Sequence, residues 1–197
     1  DQWLYVAAMD AVLRLQYEPG DLSARAAPEV ILPLPGEGLN QSRSILFAPD
    51  GSFYLSVGSS CNVCVEQDVR RASILKVEDG GAKVVRFGSG VRNSVGLALG
   101  ADRASVWFTD NERDLFAEDR PPDELNLLVP GADYGWPACL GNKEPDPSVG
   151  GTVDGCSRTV GPVVEFQAHA GASGMVFYTD DRFPEEYRDG LFVALHG

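Results

Sequence analysis

The sequence predicts an all-β protein of the β-propeller kind, built from four-stranded antiparallel sheets that recur along the chain. Two observations carry this. Short stretches alternating β-branched and aromatic residues return with the same strand–turn–strand wording. They return about every 50 residues, longer than the spacing of strands in a β-sandwich, the alternative architecture. A third observation agrees with them: 22 Gly and 13 Pro in 197 residues cut the chain into short pieces and leave few long helical-period stretches.

Taken in order, the first repeated strand is residues 4–7, followed by a partner at 11–15. The second unit enters at 44–47, turns through Ala48-Pro49-Asp50-Gly51, and continues at 53–56 and 73–77. The third enters at 94–97, turns through Gly100-Ala101-Asp102-Arg103, and continues at 106–109 and 123–129. The fourth enters at 174–177, turns through Thr179-Asp180-Asp181-Arg182, and continues at 191–194. The Asp-Gly and Asp-Arg turns carry hairpin chemistry. The last interval is stretched to about 85 residues by an insertion around Cys139 to Cys156. The phrase opens on an inner strand with no partner before it and stops just after the equivalent strand of a later unit. It therefore predicts residues 1–197 to be one domain, a partial propeller of roughly three to four blades, incomplete at both ends. A trimmed four-blade ring is the other reading.

The net charge of −13 repels phosphate backbones and anionic lipid surfaces, which argues against nucleic acid and membrane partners. No apolar run approaches the roughly 20 residues that a membrane-spanning helix needs, and no signal peptide is present. Compartment is read from the four cysteines. Zinc wants two closely spaced pairs, and Cys139 and Cys156 are too far apart. A thioredoxin-like motif wants a helix after Cys61, where the sequence reads as a loop. The reading left is two disulfides, Cys61–Cys64 and Cys139–Cys156, formed in an oxidising compartment, periplasmic or secreted.

Four loop stretches hold the candidate chemistry. In the first, Asn40-Gln41-Ser42-Arg43, a polar loop enters a strand. In the second, Gly90 to Leu97, Arg92 has the fork geometry to clamp a carboxylate or quinone oxygen, or simply to pin a loop. Asn93 beside it both donates and accepts. The third places seven carboxylates between Asp110 and Glu124. Such oxygen-rich crowding suits calcium, and equally a solvated acidic loop. In the fourth, Asp133-Tyr134-Gly135-Trp136-Pro137, two aromatics fixed by Gly and Pro either floor a pocket or plug the core. The two histidines, His169 and His196, stand without a Ser or Cys nucleophile motif and read as structural. No phosphate-cradling glycine loop is present.

In this order the stretches resemble the glucose/sorbosone dehydrogenase family that uses pyrroloquinoline quinone (PQQ). The resemblance rests on Gly90-Val91-Arg92-Asn93-Ser94-Val95-Gly96-Leu97, Thr109-Asp110-Asn111, Pro121-Pro122-Asp123-Glu124-Leu125-Asn126 and Asp133-Tyr134-Gly135-Trp136-Pro137. Gly58 to Cys64 and Phe166-Gln167-Ala168-His169 support it. The resemblance implies a six-bladed propeller with PQQ and Ca2+ in an axial cleft. It places Arg92 and Asn93 on the quinone, with Asn111 and Asp123 beside it. It puts the cofactor's calcium on the carbonyls of Glu112 and Arg113, and a second calcium on Glu124 and the carbonyl of Tyr134. The family's catalytic histidine corresponds to Asn40, and an amide is no base near neutral pH. Two functions follow as expectations. One is an enzyme that oxidises an aldose or sorbosone by hydride transfer to PQQ and passes electrons to an external acceptor. The other is a non-catalytic, calcium-holding propeller that binds carbohydrate or protein. A hydrolase fits poorly, because the carboxylates bunch in one loop.

Overall fold

The computed structural model describes residues 2–197, so Asp1 of the predicted domain lies outside the described residues. The protein is almost entirely β. Strands β1 (Trp3–Ala7), β2 (Ala11–Gln16) and β3 (Glu29–Pro33) form the first antiparallel sheet in chain order. The second sheet follows as β4 (Ile45–Phe47), β5 (Phe53–Val57), β6 (Ser73–Glu78) and β7 (Lys83–Ser89). The third begins with β8 (Leu97–Leu99), β9 (Val106–Asp110) and β10 (Pro122–Leu127). The chain then lays β11 (Ala132–Asp133) parallel to β7, pairing Ala132 with Gly88 and Asp133 with Ser89. An insertion follows, with β12 (Cys139–Leu140), β13 (Glu144–Pro145) and the one-turn helix α1 (Val153–Ser157). Strand β14 (Val164–Ala168) returns to complete the third sheet on β10, and β15 (Ala172–Phe177) pairs with β16 (Leu191–Leu195).

Two of the three expected hairpin turns are closed by their aspartates; between β15 and β16 the chain instead runs through residues 178–190, with a 3-10 turn at Glu185–Tyr187. Asp50 Oδ1 accepts from the backbone and hydroxyl of Ser52, and Gly51 takes the left-handed conformation. Asp102 Oδ1 accepts from the backbone N–H groups of Ala104 and Ser105, and Arg103 there has φ +56°. One entry strand differs from its expected range. Residues 94–96 are loop, and β8 begins at Leu97. The cause is local: Ser44 Oγ donates to the Val95 carbonyl, and Gly96 exchanges hydrogen bonds with Thr109 and leaves no room for a Cβ against the Ser173 carbonyl. This loop is thereby held at the site described below.

Packing follows the order of the sheets. One core joins Val12 and Leu32 of the first sheet to Phe53, Leu55, Val57, Leu75 and Val77 of the second. A second joins Tyr54 and Ile74 on the opposite face to Val106 and Phe108 of the third. Strand β5 is therefore buried along its whole length, and the second sheet is covered on both faces. Two-layer sandwich packing would leave each sheet one solvated face. Beyond the third sheet, Trp107 meets Phe177 of β15 at 5.9 Å between rings. Both expected disulfides are formed, and Cys156 is completely buried.

Candidate functional site

Loops leaving the second and third sheets surround a cleft of about 310 Å³, at the small end of the range for ligand sites. Asn40, Arg92, Asn93, Asn111 and Asp123, five residues spread over more than eighty positions, all line it. Glu112, Asp114 and His169 share its wall. The structure thus brings together every residue expected at the quinone, and also Asn40.

Arg92 organises this wall. It is 3% exposed, and all five of its N–H donors are engaged. Nε donates to the Asn62 carbonyl, and Nη1 to the carbonyls of Asn111 and Glu112, both at 2.8 Å. Nη2 reaches Asn62 Oδ1 at 2.8 Å and Asp114 Oδ2 at 3.5 Å. In this arrangement the guanidinium stitches the Cys61–Cys64 loop to the loop after β9, the pinning role that the sequence left open. Its backbone is fixed in turn by Asp110, which accepts from the N–H groups of Arg92 (2.8 Å) and Asn93 (2.6 Å).

Asp123 is the second fixture. One carboxylate oxygen accepts from the Glu112 N–H at 2.9 Å, the other from the Gly171 N–H at 2.8 Å. A buried side chain on β10 therefore ties the loop after β9 to the loop between β14 and β15. Asn40 is held by its amide nitrogen to Ser59 Oγ at 2.7 Å. Asn93 and Asn111 are different. Each carries a buried Oδ1 with no hydrogen-bond partner among the described residues. Both residues line the cleft, and their amide oxygens are acceptors that only an added hydrogen-bond donor would satisfy.

Behind this wall the carboxylates of Asp110, Glu112 and Glu124 lie within 4.8 Å of one another, all buried. Antiparallel pairing sets Asp110 directly opposite Glu124. Burial pushes Asp110 up to about 7, against the pull of the Asn93 and Arg92 N–H groups. Burial and the Asp110 charge push Glu124 up to about 8. Glu112 is raised well above its ordinary value by burial, then by Glu124 and Asp110. The acidic stretch therefore has two natures. Asp110, Glu112, Asp123 and Glu124 are buried, whereas Asp114, Glu118 and Asp119 form the solvated loop. Three converging carboxylates are a donor set suited to a hard divalent cation.

Tyr134 resolves the other open alternative in favour of the core, whereas Trp136, though buried, lines a second pocket with Pro137 and Asp133. The Tyr134 ring meets Phe108 edge-on at 4.8 Å, and its hydroxyl donates to the Leu127 carbonyl. The backbone carbonyls of Arg113 and Tyr134 accept no hydrogen bond among the described residues. The Glu112 carbonyl faces the Arg92 guanidinium.

Sequence reasoning missed three things. His169 sits on the cleft wall. Asp110 anchors the Arg92–Asn93 backbone. Glu112 turns its side chain into a buried cluster. The alternation of Asp110 and Glu112 was the available signal for the last.

Residues 9–196 match the family model described as glucose/sorbosone dehydrogenase. The aldose sugar dehydrogenase YliI of Escherichia coli K12 is 29% identical over 124 residues, which cover 60% of this chain and 30% of that protein. An uncharacterized protein of Borreliella burgdorferi is 27% identical over 169 residues, covering 85% of this chain and 44% of that one. The PQQ-bound aldose sugar dehydrogenase of Streptomyces coelicolor superposes with a TM-score of 0.65 at 23% identity, covering 89% of this chain and 52% of that one. A calcium structure of the Trichoderma reesei family AA12 protein reaches 0.79 at 18% identity, covering 90% and 56%. At this identity the structural likeness shows a shared fold, that of β-propeller sugar dehydrogenases. The chain spans less than half the length of the curated relatives it matches.

Proposed function

Because the chain belongs to the glucose/sorbosone dehydrogenase family, we propose that it forms the cofactor-bearing part of a PQQ- and calcium-dependent sugar oxidoreductase. Its sheets are read as roughly three to four blades of a larger propeller ring. The share of its relatives that it covers supports this. The observation that carries the functional reading is the convergence of Asn93 and Asn111, each with an unpartnered amide oxygen, on the cleft walled by Arg92 and Asp123. These residues fit a planar, polar cofactor.

Asn93 and Asn111 would hold the quinone by their amides, with Asp123 beside them. Arg92 would contact it by exchanging its long 3.5 Å link to Asp114 for a quinone oxygen. The cofactor's calcium would be held by the carbonyls of Glu112 and Arg113. A second calcium would take Glu124 and the free carbonyl of Tyr134. When bound, the ortho-quinone supplies a two-electron acceptor, and the cation polarises it as a Lewis acid. The chain's own contribution is positional. Arg92 and Asp123 fix three loops and so hold the amides and carbonyls around the cleft. The substrate is an aldose or sorbosone, and electrons leave to an external acceptor. The two disulfides support an oxidising compartment, periplasmic or secreted. Among the described residues no helix is long and apolar enough to cross a membrane.

A second reading is favoured by one observation: Asn40, where the family has its base, is an amide bound to Ser59. On that reading the protein keeps the fold and a calcium and binds carbohydrate or protein without turnover. The deciding experiment gives the longest natural form of the protein PQQ, Ca2+ and a panel of aldoses, and follows dye reduction. Sugar-dependent reduction that disappears without PQQ is the expected result. Saturable sugar binding without reduction would overturn the enzyme reading in favour of the second.

A further inference from the structure

Oxidising a carbinol to a carbonyl breaks a C–H and an O–H bond. The hydride goes to the quinone, and the proton requires a base. Asn40 cannot serve, and no other residue of the first loop titrates near neutrality. Resting on the oxidoreductase reading above, we propose that His169, paired with Asp114, is the proton acceptor of this cleft.

Four observations support it. His169 lines the same cleft as Asn93, Asn111 and Asp123. Its Nε2 lies 3.0 Å from the Ala117 carbonyl. A carbonyl only accepts, so Nε2 carries the hydrogen and the neutral ring keeps its lone pair on Nδ1. Nδ1 lies 3.7 Å from Asp114 Oδ1, so a proton taken there forms an ion pair at once. Finally, His169 has φ +59°, a conformation that a non-glycine residue holds only when its surroundings impose it. Asp123 anchors Gly171, two residues on, and the same carboxylate accepts from the Glu112 N–H.

The balance closes on named groups. The hydride and its two electrons pass from the sugar carbon to the quinone. The hydroxyl proton passes to His169 Nδ1, and the C=O bond forms. The imidazolium then releases its proton to the reduced quinone's oxygen or to water. The charged groups facing His169 are Asp114, the Arg92 guanidinium that touches Asp114, Glu112 on the cleft wall, and Asp123 through Gly171. His196 packs against Gly171 from the neighbouring strand end.

The test uses the longest natural form of the protein. His169→Gln retains a donor for the Ala117 carbonyl and so preserves the loop contact while removing the base. The expected result is a kcat lower by roughly 10² to 10⁴-fold, with PQQ affinity changed less than about threefold (the band set for an unperturbed site). His169→Asn, better suited to left-handed backbone, should behave alike. Independently of turnover, PQQ with Ca2+ should shield His169 from diethyl pyrocarbonate, read by peptide mass spectrometry. An active wild type with a fully active His169→Gln variant would overturn the base assignment and leave the family reading intact. Failure of PQQ to shield His169 would overturn it too. A wild type that binds PQQ yet oxidises no sugar would overturn the reading beneath it, and the base assignment with it.

Discussion

Replacing Arg92 by lysine probes the site's construction most deeply. Arginine satisfies two carbonyls of the Asn111–Glu112 loop and both oxygens of Asn62, and reaches Asp114. A lysine ammonium has three donors from one point and cannot span that set. At least two carbonyls then lose their partner in a wall where Arg92 itself is 3% exposed. Stranding a buried acceptor costs about 1–3 kcal/mol, and two such losses with the lost charge-assisted bonds come to about 3–5 kcal/mol. With a urea slope of about 2–3 kcal/mol per molar for a domain of this size, the unfolding midpoint should fall by about 1–2 M. Urea titration monitored by circular dichroism measures it. Because the cleft's geometry depends on those carbonyls, affinity for PQQ should fall in the same variant. A midpoint displaced by less than about 0.4 M, that is under about 1 kcal/mol, would show that Arg92 is no clamp, and the positional account of the cleft would fail.

Two further outcomes follow from burial and connectivity. Asp110 and Glu124 are raised from 3.8 to about 7 and from 4.5 to about 8. The folded state therefore holds protons that the unfolded chain releases, and chelator-treated protein should lose stability as pH rises from about 4 to 8. Glu112→Gln removes one charge from the cluster. It should be more stable than the wild type at pH 8, because burial and the neighbouring carboxylates disfavour the Glu112 charge, and converge with it near pH 5. A variant less stable at pH 8 in chelator would contradict the buried-carboxylate account. Separately, the Cys139–Cys156 bridge closes a separation of 17 residues, worth about 3 kcal/mol in chain entropy. The Cys139→Ser/Cys156→Ser double variant should melt about 6–12 °C lower. Removing Cys61–Cys64, which closes only a separation of 3, should cost about half as much. Equal losses would count against the loop-entropy origin.

The strands with their own turn chemistry were legible in the sequence. Asp50-Gly51 and Asp102-Arg103 announce their hairpins because the aspartate closes the turn locally. Outer strands were not individually legible. Lys83–Ser89 and Val164–Ala168 carry mixed, exposed faces and exist because an inner strand offers them hydrogen bonds. The two-residue β11 depends wholly on a partner over forty positions away. At the site, motif order placed Asn40, Arg92, Asn93, Asn111 and Asp123 together, and the structure does the same. The bonds of Arg92 were not foreseeable, since three of the five go to backbone carbonyls. His169 read as structural because its partner Asp114 lies 55 positions earlier. The acidic stretch read as one object, and the pairing of Asp110 with Glu124 divides it into a buried cluster and a solvated loop.

Direct cofactor titration tests the central claim, that the side-chain amides of Asn93 and Asn111 line a cleft that receives a quinone. PQQ added with Ca2+ to the longest natural form of the protein should produce a saturable change in the quinone absorbance at one equivalent per chain. In an Asn93→Ala/Asn111→Ala double variant affinity should drop at least tenfold, about 1.4 kcal/mol. No saturable change, or an unaltered affinity in the double variant, would contradict the account.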